Sequence, residues 1–209
     1  MNKPFLILSR RRALQSGVAG LTALAAGGAL TACTEAKPEF KSIDITGADY
    51  ARDFSLTDHN GQLRSLKDFK GKVVVVFFGF TQCPEVCPSS MAELAQVRRD
   101  LGASGERLQG LLVTLDPERD TQKVLKAYMN NFDASFLALR PTLEQLPEVA
   151  KEFKIFYKKV AGNTPGSYTI DHSAGSYVFD PAGRVRLYSR YGSGAQALTS
   201  DIALLVKNA

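Results

Sequence analysis

Two cysteines, Cys83 and Cys87, stand four positions apart in the stretch FFGFTQCPEVCPSS (residues 77–90), each followed by a proline. Thiols at that spacing can close a structural disulfide, exchange disulfides with a partner, reduce a peroxide or hold a soft metal ion. A bridge across three intervening residues closes so small a loop that it restricts the unfolded chain little, and a chain of this size has core enough without it. A peroxidase would carry a Thr three residues before its reactive Cys, whereas Thr81 lies two before Cys83. Thiol exchange and metal binding stay open. For a metal, two thiolates make an incomplete site, and the chain offers two histidines. His59, in Asp58-His59-Asn60-Gly61, has a turn composition and reads as a solvated turn residue. His172, in YTIDHSAGSYVFD (residues 168–180), reads alone as a loop histidine bonded to its neighbours. Taken with the cysteine pair, it reads as the third ligand.

Those residues need a frame. The run VVVVFFGF from Val73, bounded by Gly71 and the cysteine loop, reads as a central strand buried on both faces. After Pro88, the positions Met91, Leu94, Val97 and Leu101 form one helical stripe, and the proline fits the first turn. Cys83 therefore follows a buried strand and Cys87 enters a helix. The partial positive charge of a helix N-terminus is expected to favour thiolate and to pull the pKa of Cys87, with Cys83 left open, below about 8.5. Leu108–Leu115 reads as a second buried strand and Thr121–Phe132 as a helix that Asp120 or Thr121 caps. Phe136–Leu139 reads as a short strand. Thr142–Phe153 reads as a helix with a capping box at Thr142 and Gln145. Ile155–Val160 is a strand and Ala161–Tyr168 a Gly/Pro loop. Ser176–Phe179 and Arg184–Tyr191 form a hairpin, and Ala195–Lys207 closes the chain as a helix. Phe54–Thr57 and Leu63–Ser65 flank the Asp-His-Asn-Gly turn as an N-terminal β-hairpin. This order, with thiols between the first long strand and its helix, predicts an α/β, thioredoxin-like fold: a central mixed β-sheet flanked by helices. Chemistry on such sheets gathers at the C-terminal strand ends.

The N-terminus is of another kind. Arg10, Arg11 and Arg12 precede a weakly apolar run, Gly17–Ala32, too short for a bilayer span. A basic region, an apolar region and small residues before a cut site predict a signal peptide over residues 1–32. Its ending, Leu30-Thr31-Ala32-Cys33, resembles a lipobox, which implies lipidation of Cys33. Ser9–Leu14 resembles a twin-arginine signal but has Ala13 where a Phe is usual, so the general and twin-arginine export routes both stay open. Cleavage removes Lys3, three arginines and no acid, and the formal net charge falls from +5 to +1. The basic balance thus belongs mostly to the leader, and no nucleic-acid partner is implied. Residues 33–49 read as a lipid-anchored tether and 50–209 as one domain. Once Cys33 carries lipid, Cys83 and Cys87 remain, outside the cytoplasmic membrane, where thiols oxidise unless reduced or ligated.

FFGFTQCPEVCP, TLDPERDT (residues 114–121) and YTIDHS (168–173), in that order and spacing, resemble the Sco/SenC family. The resemblance runs from about Tyr50 to Lys207. It implies a membrane-tethered, thioredoxin-like copper protein that takes part in assembling cytochrome c oxidase, with Cys83, Cys87 and His172 holding one copper ion. It also implies as client the copper-accepting subunit of that oxidase, with a second copper chaperone and a thiol reductant as further partners. Gln82 stands where the family commonly has His, and Glu85 where it commonly has Asp; neither position is a ligand in the pattern. The donor chemistry agrees: two thiolates and an imidazole suit Cu(I), with Cu(II) left open, whereas a structural Zn(II) site usually takes four protein ligands. The DPERD run, Asp116–Asp120, follows a strand end on the thiol side and reads as a helix-capping loop or a partner-facing surface. Three functions follow. The first is a copper metallochaperone, lipid-anchored and facing the periplasm or outer cell surface. The second is a thiol–disulfide oxidoreductase that uses Cys83 and Cys87 without needing His172. The third and weakest is a thiol peroxidase.

Overall fold

The structure, a computed structural model, describes residues 39–207. The expected signal peptide, the lipidated Cys33 and the first part of the tether lie outside the described residues. Among the described residues no helix is long and apolar enough to cross a membrane.

The frame is set by β4 (Val73–Gly79) and β5 (Leu108–Thr114), whose side chains are all buried. They pair in parallel from Val73↔Leu108 to Gly79↔Thr114, and β6 (Leu137–Arg140) extends the parallel ladder. Beyond β6 lies the hairpin of β2 (Leu56–Asp58) and β3 (Leu63–Arg64). On the other side of β4 come β9 (Ser176–Phe179), β10 (Val185–Ser189) and β1 (Ile43–Asp44), all antiparallel. The result is one mixed sheet of eight strands in the order β1-β10-β9-β4-β5-β6-β2-β3. Successive side chains of β4 point to opposite faces. Val75 and Phe77 meet Met91 and Leu94 of α1 (Val86–Asp100) and Leu198 of α4 (Ala195–Lys207) around a cavity of about 20 Å³. On the other face Phe78 packs against Phe153, ring centroids 5.1 Å apart, at the end of α3 (Gln145–Glu152). The expected thioredoxin-like α/β arrangement is present, helices on both faces included.

Local signals explain most boundaries. Thr121 caps α2 (Gln122–Met129), its Oγ1 accepting from the Val124 N–H. Thr142 and Gln145 exchange hydrogen bonds as a capping box, and Pro147 falls in the first turn of α3, where its missing N–H costs nothing.

Three readings of the sequence are corrected here. The segment read as tether is partly sheet: Ile43 and Asp44 pair with Tyr188 and Leu187, and the buried carboxylate of Asp201 accepts from the Lys41 and Ser42 N–H groups. His59 is buried, not solvated, because the turn folds back on β6; its Nδ1 accepts from the Ala138 N–H at 3.2 Å, and its own N–H donates to the Ala138 carbonyl. The residues read as a Gly/Pro loop running into Tyr168 end in a strand: β8 (Tyr168–His172) pairs with β7 (Tyr157–Ala161) as a separate two-stranded sheet.

Candidate metal centre

The C-terminal ends of β4 and β5 present the cysteine loop. Gly79 is the last residue of β4, and a Cβ there would lie 2.7 Å from both the Cys87 Sγ and the Phe77 ring. The strand therefore needs glycine at this point to admit the sulfur. The chain then enters α1, which starts at Val86 and puts Cys87 in its first turn. The Cys87 N–H donates to the Cys83 Sγ at 3.4 Å, so one free donor of the helix start is spent on the other thiol. Both cysteines are unbridged; Cys87 is buried and Cys83 half-buried.

His172 arrives from the β7–β8 hairpin. Its ring meets Phe77 and Phe80 edge to face, with centroids 6.1 and 5.9 Å away. Its Nδ1 lies 2.8 Å from the Ser173 carbonyl. A carbonyl only accepts, so Nδ1 carries the proton and Nε2 keeps a free lone pair. That Nε2 lies 3.6 Å from the Cys87 Sγ. Burial holds the imidazole pKa below its ordinary value, against the Ser173 carbonyl and Asp171, and so keeps the ring neutral. The three donors of Cys83, Cys87 and His172 all lie within 4.8 Å of one another. Two sulfurs and one neutral nitrogen, half-walled by aromatic rings, fit a soft monovalent ion in three-fold coordination.

One expectation about the thiols is overturned. The helix N-terminus does not prevail at Cys87: burial pushes the thiol well up, and the side-chain contact between the two thiols adds to it. Desolvation of a charged sulfur outweighs the partial charge of a helix end. In the metal-free protein Cys87 is a thiol, and a bound cation would supply the charge that the helix does not.

The DPERD run does more than the sequence suggested. Thr121 caps the helix, while Asp120 turns inward. Its buried carboxylate accepts from the Thr81 N–H (3.1 Å), the Thr81 hydroxyl (2.5 Å) and the Thr114 hydroxyl (2.5 Å). The residue two before Cys83 is thereby fixed to the end of β5. The Thr81 hydroxyl, already one position too close to Cys83 for a peroxidase, is spent on this carboxylate. Sequence reasoning missed Asp120 as a support because its partners lie 6 and 39 positions away; the one signal was a cluster of acids at a strand end.

A family model described as SCO1/SenC matches residues 44–207. The chain belongs to this family. A curated member, the mitochondrial SCO2 homolog of Bos taurus, is 35% identical over 152 residues, covering 72% of this chain. The chain spans 57% of that relative's length. Among solved structures, Bradyrhizobium japonicum ScoI with copper bound is 33% identical with a TM-score of 0.67, covering 73% of this chain and 97% of that one. A SCO1/SenC family lipoprotein from Bacillus anthracis is 26% identical with a TM-score of 0.63, covering 73% of this chain and 92% of that one. The SCO1/SenC match includes the cysteine loop, the DPERD run and the hairpin that carries His172. Gln82 and Glu85, the two departures from the common pattern, are both exposed; Glu85 is not part of the three-atom cluster, and the Gln82 side-chain oxygen accepts from Arg119.

Proposed function

We propose that this protein is a copper metallochaperone, tethered to the membrane through a lipidated Cys33 and facing the periplasm or outer cell surface. It binds one Cu(I) through Cys83, Cys87 and His172 and delivers it to the binuclear copper site of cytochrome c oxidase. The observation that carries this reading is the convergence of two sulfurs and one imidazole nitrogen within 4.8 Å at the strand ends. The copper bound in the Bradyrhizobium relative supports the choice of cargo. The client follows from the family resemblance. The Bacillus anthracis lipoprotein and the Leu-Thr-Ala-Cys ending support the anchor.

Loading replaces two thiol protons by one Cu(I), leaving a core charge of about −1 and releasing two protons. Three donors leave a side open to an incoming ligand, and half-buried Cys83 offers the way in. Ligand exchange there passes the ion on, and His172 departs as a neutral ring. A Cys83–Cys87 disulfide has no thiolates to offer, so oxidation switches binding off.

One feature favours a second reading, the thiol–disulfide oxidoreductase. Cys83 is half-exposed and Cys87 buried, the asymmetry of an attacking and a resolving thiol. Copper content separates the two. Reduced protein should hold one Cu(I), with sulfur and nitrogen both in its X-ray absorption first shell. A sulfur-only shell, or undiminished binding by the oxidised form, counts against the chaperone. The anchor has its own test: mass spectrometry of membrane-extracted protein should find a diacylated Cys33 at the N-terminus, and residues 1–32 still attached would refute it.

A further inference from the structure

His172 does not stand on the eight-stranded sheet. It ends β8 in the separate β7–β8 pair, so its distance from the thiols depends on how that hairpin is held. Within β8 one side chain, Ile170, is buried, which is little apolar surface to fix a ligand by.

The loop after β5 supplies the missing hold. Its base is firm: the Arg140 guanidinium donates to the carbonyls of Pro117 (2.7 Å) and Asp120 (3.0 Å). From this loop Arg119 touches both halves of the site. Its Nη1 donates to the Gln82 side-chain oxygen at 3.1 Å, beside Cys83, and to the Tyr168 carbonyl at 2.9 Å, at the start of β8. Its Nε pairs with buried Asp116, whose other oxygen accepts from the Tyr168 hydroxyl at 2.8 Å. The guanidinium carbon lies 3.7 Å from the Tyr168 ring centroid and 5.9 Å from that of Phe80. Nη2 is buried without a hydrogen-bond partner, which a flat cation tolerates when its face is spent on an aromatic ring. An ion pair between Lys159 of β7 and Glu118 ties the hairpin to the same loop, in a more exposed setting.

We propose that Arg119 is a positioning residue: it fastens the His172 hairpin to the cysteine loop and sets the imidazole at the thiols before a metal arrives. Capture then does not have to order the third ligand, which strengthens binding by reducing its entropic cost. The inference rests on the copper reading for one of its two readouts and stands without it for the other.

The test uses membrane-extracted protein carrying Arg119→Leu, Arg119→Lys or Tyr168→Leu. In metal-free protein, amide exchange over residues 168–173 should rise by at least about tenfold, while Leu111–Thr114 in β5 keeps its protection. Lysine keeps the charge but has no flat fork, so it should resemble leucine. In the second readout, Cu(I) affinity should fall roughly 10–100-fold, the usual cost of losing a ligand's outer support. Tyr168→Leu cuts the clasp from the hairpin side and carries the test if Arg119→Leu does not fold. Unchanged exchange over the hairpin, an equal rise in β5, or full Cu(I) affinity despite a loosened hairpin would each overturn the proposal. If the unsubstituted protein takes up no Cu(I), the copper reading fails, and the exchange data still judge the clasp.

Discussion

The Nε2 of His172 lies 3.6 Å from the Sγ of Cys87, although 85 positions separate them in the chain. The two arrive by independent routes, one on the first turn of a helix and the other at the end of a hairpin outside the main sheet. They can therefore be separated by mutation.

His172→Ala should divide the two readings of the thiol pair. Thiol exchange needs a thiolate attacking a sulfur and no imidazole. Its rate should stay within about twofold. Cu(I) affinity should fall by more than the roughly 10–100-fold that an outer-shell loss costs. In cells short of copper, oxidase activity should drop while the client's thiols stay reduced. Normal oxidase activity in that variant, with either Cys→Ser variant inactive, makes the protein a reductase instead.

Gly79→Ala should damage the site from within the sheet. The added carbon would lie 2.7 Å from the Cys87 sulfur and the Phe77 ring, and β4 is buried along its whole length. Overpacking of this kind costs about 1–3 kcal/mol. Chemical denaturation should show a lower midpoint, and Cu(I) competition should show weaker binding because the sulfur must shift. An unaltered midpoint and affinity would mean that the strand end gives way freely.

Much of this was legible in the residues. Four valines and two phenylalanines in a row identify a strand covered on both faces, and a C-P-x-x-C-P run followed far downstream by D-H-S holds the three donors that the fold brings within 4.8 Å of one another. The misses share a physical cause. In β8 a single side chain, Ile170, is buried and the run is five residues long, so its alternation is too short to stand out after the Gly- and Pro-containing segment that precedes it. Asp201 reaches back 160 positions to hold Lys41, and a contact that distant leaves no local pattern. The Cys87 thiol was misjudged because helix position can be read from spacing, whereas depth of burial depends on the strands packed around it.

Asp120→Ala should loosen the cysteine loop without altering Cys83, Cys87 or His172. It leaves the Thr81 N–H and two hydroxyls without their acceptor, at a cost of about 1–3 kcal/mol per buried group that finds no other partner. Cys83 should then be alkylated faster than in the unsubstituted protein under the same non-denaturing conditions. Equal alkylation rates would show that the carboxylate does not restrain the loop.

His59 gives the fold an acid limb. Burial, with a smaller contribution from Lys126, lowers its pKa in the folded protein despite the opposing charge of Asp58. The folded state thus keeps the ring neutral where the unfolded chain, with a pKa of about 6.5, takes up a proton. The unfolded state binds more protons below that value, so the contribution to stability is complete above about pH 6.5 and is lost as the pH falls. His172 titrates with the same sign in metal-free protein, so the two must be told apart. His59→Asn does this, because its Oδ1 can replace Nδ1 as acceptor for the Ala138 N–H without titrating. Denaturant unfolding of the metal-free protein at about pH 7.5 and about pH 5.5 should show a smaller loss for His59→Asn than for the unsubstituted chain. Carboxylates with ordinary pKa values near 4 contribute little in this window. Identical losses in the two proteins would mean that the buried ring takes its proton without strain, and that the turn opens to water at low pH.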